Sequence, residues 1–184
     1  MIDTKQAAAA LSDIEETVRR VRQSRTYEIA SLIMIWWGVL VVAGNLATYG
    51  WPRDGGYIWI AVNAAGAVGS LAISAVAATP KLGLSFDART VGAILLFFAF
   101  GLLCSRVFGH FGPRELGAFW PIYFMLMYCI AGLWFGHAFV GIGLSITVLT
   151  LIGYFFVSGA AFLLWMAAVN GGGLILSGVW MRWN

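Results

Sequence analysis

Between Glu115 and Arg182 the chain carries no Asp, Glu, Lys or Arg, a charge-free run of 66 residues from Leu116 to Met181. As one straight helix this run would extend about 100 Å at 1.5 Å per residue. The hydrocarbon core of a bilayer is about 30 Å thick, so the run has to cross it about three times. Backbone polar groups find no partner in lipid, which restricts spanning segments to helices or closed barrels. The short alternating segments of a barrel are missing from the sequence. The run therefore predicts helices, and the chain is read as an all-α polytopic membrane protein.

The remaining sequence agrees. Of 184 residues, 61% are hydrophobic and 10% charged, where ordinary soluble domains carry about 25% charged residues. The net charge of +3 is too small to suggest nucleic acid and matters through its distribution. Six apolar runs are visible, at 29–49, 57–78, 91–108, 118–135, 139–157 and 160–180. Each is close to the roughly 20 residues that a spanning helix needs. This gives six transmembrane helices in residues 27–184, preceded by a cytoplasmic N-terminal segment, residues 1–26, with a short amphipathic helix. The first 28 residues are polar, and the first apolar run is too long for a signal-peptide core. It is expected to be a retained span.

Glycine and proline clusters mark the connections: 50–56, then Thr79-Pro80-Lys81, then 110–115. The last two connections, Gly136-His137-Ala138 and Ser158-Gly159, are so short that the final three helices should pack as antiparallel neighbours. With six spans both termini share a side. That side holds eight of the eleven Lys and Arg residues, leaving Arg53, Arg106 and Arg114 on the other. The positive-inside rule then puts both termini in the cytoplasm, as expected of a multi-pass protein of a cell inner membrane.

In the N-terminal segment, Ser12 and Glu15 fit a capping box and predict a helix start. Glu15–Arg19 and Glu16–Arg20 are favourable i,i+4 pairs. Leu11, Ile14, Val18 and Val21 recur with three-four spacing and form a narrow apolar seam. Such a seam lies on the lipid surface or the bundle, or it contacts a second copy or a partner protein.

Few polar residues fall inside the spans. Asn45, Asn63 and Asn170 each need a partner, because an unpaired amide in hydrocarbon costs several kcal/mol. Asn45 and Asn63 share the outer third of adjacent helices and could meet. Asn63 also shares a helix face with Gly66, Ser70 and Ser74, residues small enough for close helix approach. Arg106 ends the third span, where a cation ordinarily snorkels to headgroups. Beside Asn45, Asn63 and Tyr123 it would instead complete an outward polar pocket for an anion or a lipid headgroup. Asn170-Gly171-Gly172-Gly173 interrupts the sixth span, and each Gly costs about 1 kcal/mol relative to Ala in a helix. The run either permits tight packing or breaks the helix, as solute carriers sometimes do. Gly132 and Gly136 form a GxxxG in the fourth span, and Pro121 is placed in that helix's first turn.

Catalytic signatures are missing. His110 and His137 fall on opposite sides and cannot clasp one haem. No cluster has zinc-ligand spacing, and no intramembrane carboxylate pair is available for acid and base. Ser145 lacks the second Gly of a nucleophile elbow. Cys104 and Cys129 differ in depth by roughly 10 Å, which argues against a disulfide. Neither cofactor nor metal is expected. The chain is read as a non-enzymatic membrane module, in contact with lipids, that self-assembles or binds a partner protein. The alternative is a small channel or carrier for a neutral or anionic solute or lipid.

Overall fold

A computed structural model describes residues 4–77, 88–107 and 111–183, with no strand among them. Six helices follow in order: α1 (Thr4–Gly50), α2 (Gly55–Ala77), α3 (Ala88–Val107), α4 (Pro113–Phe135), α5 (His137–Phe156) and α6 (Ala161–Trp183). Five are long and apolar enough to cross a membrane: Tyr27–Gly50, Pro52–Val76, Pro113–Phe135, His137–Phe156 and Ala161–Trp183. In α3 the apolar part is shorter, Gly92–Val107. The protein is an all-α polytopic membrane protein. The turn expected at Thr79-Pro80-Lys81 lies outside the described residues, as do His110 and the side chains of Leu11, Ile14, Val18 and Val21.

Two element boundaries differ from expectation. The N-terminal helix does not start at Ser12; α1 is one helix of 47 residues from Thr4. Ala7 to Ala10 are the strongest helix formers and lie upstream of the capping box. No Gly precedes Gly38 and no Pro precedes Pro52, so nothing interrupts the helix. Also, α4 starts at Pro113, with Gly112 as its N-cap. Pro is preorganised for the first helical position. Pro121 consequently lies inside the helix and not in its first turn, and its missing N–H removes one bond to the Gly117 carbonyl.

The turns follow from backbone chemistry. Gly136 alone joins α4 to α5 at φ 134°, a conformation that L side chains avoid. Its N–H caps the Gly132 carbonyl at 3.1 Å. Gly159, at φ 63°, reverses the chain between α5 and α6.

Packing is built from glycine on one helix and bulk on the next. On α4, a Cβ at Gly132 would lie 2.8 Å from the Val140 backbone nitrogen. On α5, a Cβ at Gly143 would lie 2.9 Å from the Met125 carbonyl oxygen. These two glycines let α4 and α5 close into an antiparallel hairpin. Helix α1 lies between α2 and α6, antiparallel to both. The rings of Trp36 and Trp37 occupy the space above Gly69 and Gly66 of α2. Their indole N–H groups donate across the interface, Trp36 to the Ala65 carbonyl at 3.2 Å and Trp37 to Ser70 Oγ at 3.0 Å. The same arrangement recurs between α5 and α6. Trp165 covers Gly153 and donates to the Leu149 carbonyl at 2.9 Å. Buried Met34, Met125, Phe139, Ile142, Ile146, Leu174 and Met181 form the main core, shared by α1, α4, α5 and α6.

Helix α3 is held differently. It packs along α4 through an aromatic cluster, with Phe97 stacked on Tyr123 at 4.3 Å and Phe98 against Trp120 and Phe124. Gly101 admits Trp120 and Tyr123 to its backbone. Most of its other large side chains, including Leu95, Leu96, Phe100 and Val107, are exposed.

Candidate functional site

The contact between α1 and α6 is a close glycine-lined one and contains the odd Asn-Gly-Gly-Gly sequence. Gly38 and Gly171 face each other reciprocally. A Cβ on Gly38 would lie 2.7 Å from the Gly171 carbonyl oxygen, and one on Gly171 would lie 2.9 Å from the Gly38 carbonyl oxygen. Seven residues on along α6 and seven back along α1 the contact repeats, where a Cβ on Gly178 would lie 2.7 Å from the Ser31 carbonyl oxygen. A seven-residue register keeps one seam facing the partner helix.

The sixth helix is not broken at this point. It passes through one π-helical turn, Ala167–Gly172, and continues as α-helix from Gly173. A π-turn widens the helix by one residue, and such turns often lie at functional sites. Here the turn aims Asn170, 4% exposed, at Thr150 of α5, which is fully buried. The Asn170 amide nitrogen lies 3.3 Å from Thr150 Oγ1 and 3.4 Å from the Met166 sulfur, and its oxygen lies 3.4 Å from Thr150 Oγ1. Asn170 and Thr150 thus satisfy each other across the helix pair. Replacing Asn170 by Ala removes a buried partner from Thr150. Interhelical hydrogen bonds in membranes couple by about 0.6–1.7 kcal/mol. A double-mutant cycle of N170A and T150V on unfolding in detergent should return a coupling in that range.

Three of the other four candidates donate to backbone carbonyls. Asn45 is buried, and its amide donates to the Val41 carbonyl at 2.9 Å, one turn back on its own helix. Asn63 is exposed and donates to the Trp59 carbonyl at 2.7 Å, again on its own helix. Tyr123 donates to the Phe97 carbonyl of α3 at 3.1 Å inside the aromatic cluster. Arg106 is exposed at the end of α3. No hydrogen bond joins any two of these four residues. Gly66 and Ser70, expected on one face with Asn63, are turned to α1 and occupied by Trp37. Among the described residues, every buried side-chain nitrogen or oxygen has a hydrogen-bond partner. Ser145 lies with Leu144, Val148 and Leu149 along an open groove of about 420 Å³ on the outer face of α5. Cys104 and Cys129 are free thiols.

One polar residue was not singled out by its sequence context. Arg114, counted as a loop cation, stands in the first turn of α4. Its guanidinium donates to the carbonyls of Tyr154 and Val157, both at 2.5 Å. The same group lies 4.7 Å from the centre of the Phe162 ring and 5.5 Å from that of Tyr154. Arg114 therefore caps the C-terminus of α5, where the last carbonyls have no intrahelical donor. It also fastens the α5–α6 turn to α4. The signals were present: Gly-Pro as a helix start, and an α5 terminus without a polar capping side chain of its own. At the opposite end of the bundle Tyr27 has a parallel role. Its hydroxyl donates to the Phe135 carbonyl at 2.8 Å and its ring stacks on Phe139.

Chemically, these groups fasten helices to one another. Of the buried polar side chains, Thr150 and Asn170 bond across helices, while Ser31, Asn45 and Ser105 bond to carbonyls of their own helices. No family model matches the chain, and neither a curated protein nor a solved structure matches it.

Proposed function

We propose that the chain is a non-catalytic membrane module that assembles with a second copy or with a partner protein. The continuity of α1 carries this reading. Of its 47 residues, 24 form the apolar span Tyr27–Gly50, so residues 4–26 extend the same helix by about 35 Å at 1.5 Å per residue. In proteins most helical stability comes from packing of an amphipathic face and not from propensity. The extension gains stability when an apolar stripe is covered, and Leu11, Ile14, Val18 and Val21 supply one at three-four spacing. The absence of an unpartnered buried side-chain nitrogen or oxygen among the described residues supports the same reading, because it leaves the helix exteriors as the surfaces for binding. The orientation rests on Lys and Arg: both termini face the cytoplasm of a cell whose inner membrane holds the protein. Labelling of single cysteines placed at Arg53 and Arg89 from each side tests that placement.

Native mass measurement in mild detergent tests assembly. The expected result is a homo-oligomer or a stoichiometric complex, reduced to monomer by the combined change of Leu11, Ile14, Val18 and Val21 to Ser. A wild-type monomer without a co-purifying protein would overturn the reading. A second reading, a small channel or carrier, is favoured by the π-turn near the middle of α6. Solute flux through the purified protein in liposomes would decide for it.

A further inference from the structure

We infer that the outward face of α2 around Asn63 is a contact surface for a second copy of this chain within the membrane. The inference rests on the assembly reading and names a surface for it. Asn63 lies eight residues from the Gly55 end of α2, about 12 Å into the helix at 1.5 Å per residue. That depth is inside the hydrocarbon layer. The side chain is exposed, and its single hydrogen bond among the described residues is the one from its amide nitrogen to Trp59. Among the described residues, the second amide hydrogen and the carbonyl oxygen of this exposed side chain have no hydrogen-bond partner. Lipid tails can neither donate nor accept, so the amide is left half-satisfied at a cost that a protein partner would remove.

The chemistry selects the occupant. A primary amide carries a donor and an acceptor side by side. A two-fold axis beside α2 would place the same amide opposite itself, donor to acceptor, twice. Symmetric dimers are built from such self-complementary patches. The neighbours suit that geometry. Ile60, Asn63, Ala64, Ala67 and Leu71 recur along one side of α2, and all are exposed. Ala64 and Ala67 flank the amide and let two backbones approach, as small residues do at membrane helix contacts. The side of α2 that holds Val62, Gly66 and Ser70 is occupied by α1, so among the described residues the Asn63 side remains exposed.

Cysteine cross-linking in lipid vesicles tests the inference, using the full chain with Cys104 and Cys129 changed to Ala. Ala67→Cys lies on the proposed face, and Ala72→Cys lies on a different exposed side of the same helix. The expected result is a covalent dimer from A67C and little from A72C. Adding Asn63→Leu to A67C should lower dimer yield on the order of tenfold. This change removes a polar group from lipid and should leave helicity unchanged by circular dichroism. Ala64→Phe, a steric block on the same face, should lower the yield equally. Equal cross-linking of A67C and A72C, or a yield indifferent to both N63L and A64F, would overturn the inference. Were native mass still to show an oligomer, assembly would stand with a different interface. A wild-type monomer would remove both.

Discussion

Replacing Gly171 by alanine is expected to destabilise the bundle by about 2 kcal/mol, while the same change at Gly172 is expected to be neutral or slightly stabilising. The two positions adjoin in sequence and share a helix, so propensity cannot separate them. Alanine in place of glycine favours a helix by about 1 kcal/mol at either site. The difference comes from the partner. At Gly171 the new methyl would lie 2.8 Å from the Val42 backbone nitrogen and 2.9 Å from the Gly38 carbonyl oxygen. Neither backbone atom can swing aside, so α1 and α6 would have to part. Overpacking of this kind costs about 1–3 kcal/mol and sometimes more. At Gly172 the nearest atom is 4.0 Å away and belongs to the same helix. Gly38→Ala should resemble Gly171→Ala, because its methyl meets the Gly171 carbonyl and the Ile175 nitrogen. The double variant should cost less than the sum, since separating the helices once relieves both. Gly141→Ala, with nothing within 4 Å, serves as the control. Equilibrium unfolding in mixed detergent micelles reads all five. Equal stabilities of G171A and G172A would show that the α1–α6 contact is not as close as described.

The spans were legible because hydropathy and length are properties of the chain alone. Each of the five long apolar helices overlaps one expected run, and the remaining run, 91–108, corresponds to the shorter apolar part of α3. The hairpin α4–α5 was legible for a similar reason, since a turn of one residue leaves no other geometry than an antiparallel neighbour. The helix-start errors also have local causes. At Ser12 the capping box competes with four alanines that already favour helix, and at Pro113 a helix-start signal stood beside charges that read as loop.

Contacts between helices were less legible. Depth along a helix can be counted from sequence, but the direction a side chain points turns by about 100° with each residue. Asn45 and Asn63 fall at similar depth, which suggested a meeting. In the structure each amide donates to the carbonyl four residues earlier, an option open to any short polar side chain in a helix. The tryptophans show the same limit. An indole suits a membrane interface, and sequence alone does not indicate that Trp36, Trp37 and Trp165 instead fill the gap over a glycine on an adjacent helix. Glycine spacing was informative only where it marks a close approach. Gly132 does so, and Gly136, its expected companion in a GxxxG pair, is the turn itself.

Arg114→Met is expected to destabilise the protein by about 1–3 kcal/mol and to loosen the end of α5 in particular. Two carbonyls at the α5 terminus lose a charged donor, and hydrogen bonds to charged groups each contribute about 1.5–3 kcal/mol. Phe162 and Tyr154 lose a cation over their faces, worth about 0.5–1 kcal/mol where water is near. The expected total is below the sum because Arg114 is only half-buried, and water can replace part of what is lost. Methionine retains much of the stem's apolar contact, so the change isolates the guanidinium. Lysine is a sharper test of geometry than of charge. Its ammonium keeps the favourable sign at a helix C-terminus, but it lacks the planar fork that reaches two carbonyls while stacking on a ring. Arg114→Lys should therefore recover less than half of the loss. Hydrogen exchange should show faster exchange at the Val157 and Phe162 amides in R114M, since their turn bonds depend on the same anchor. The Trp36 and Trp37 contacts, on the far side of α1, should be unaffected. An unchanged melting temperature together with unchanged exchange at those two amides would mean that the α5–α6 turn holds its shape without Arg114.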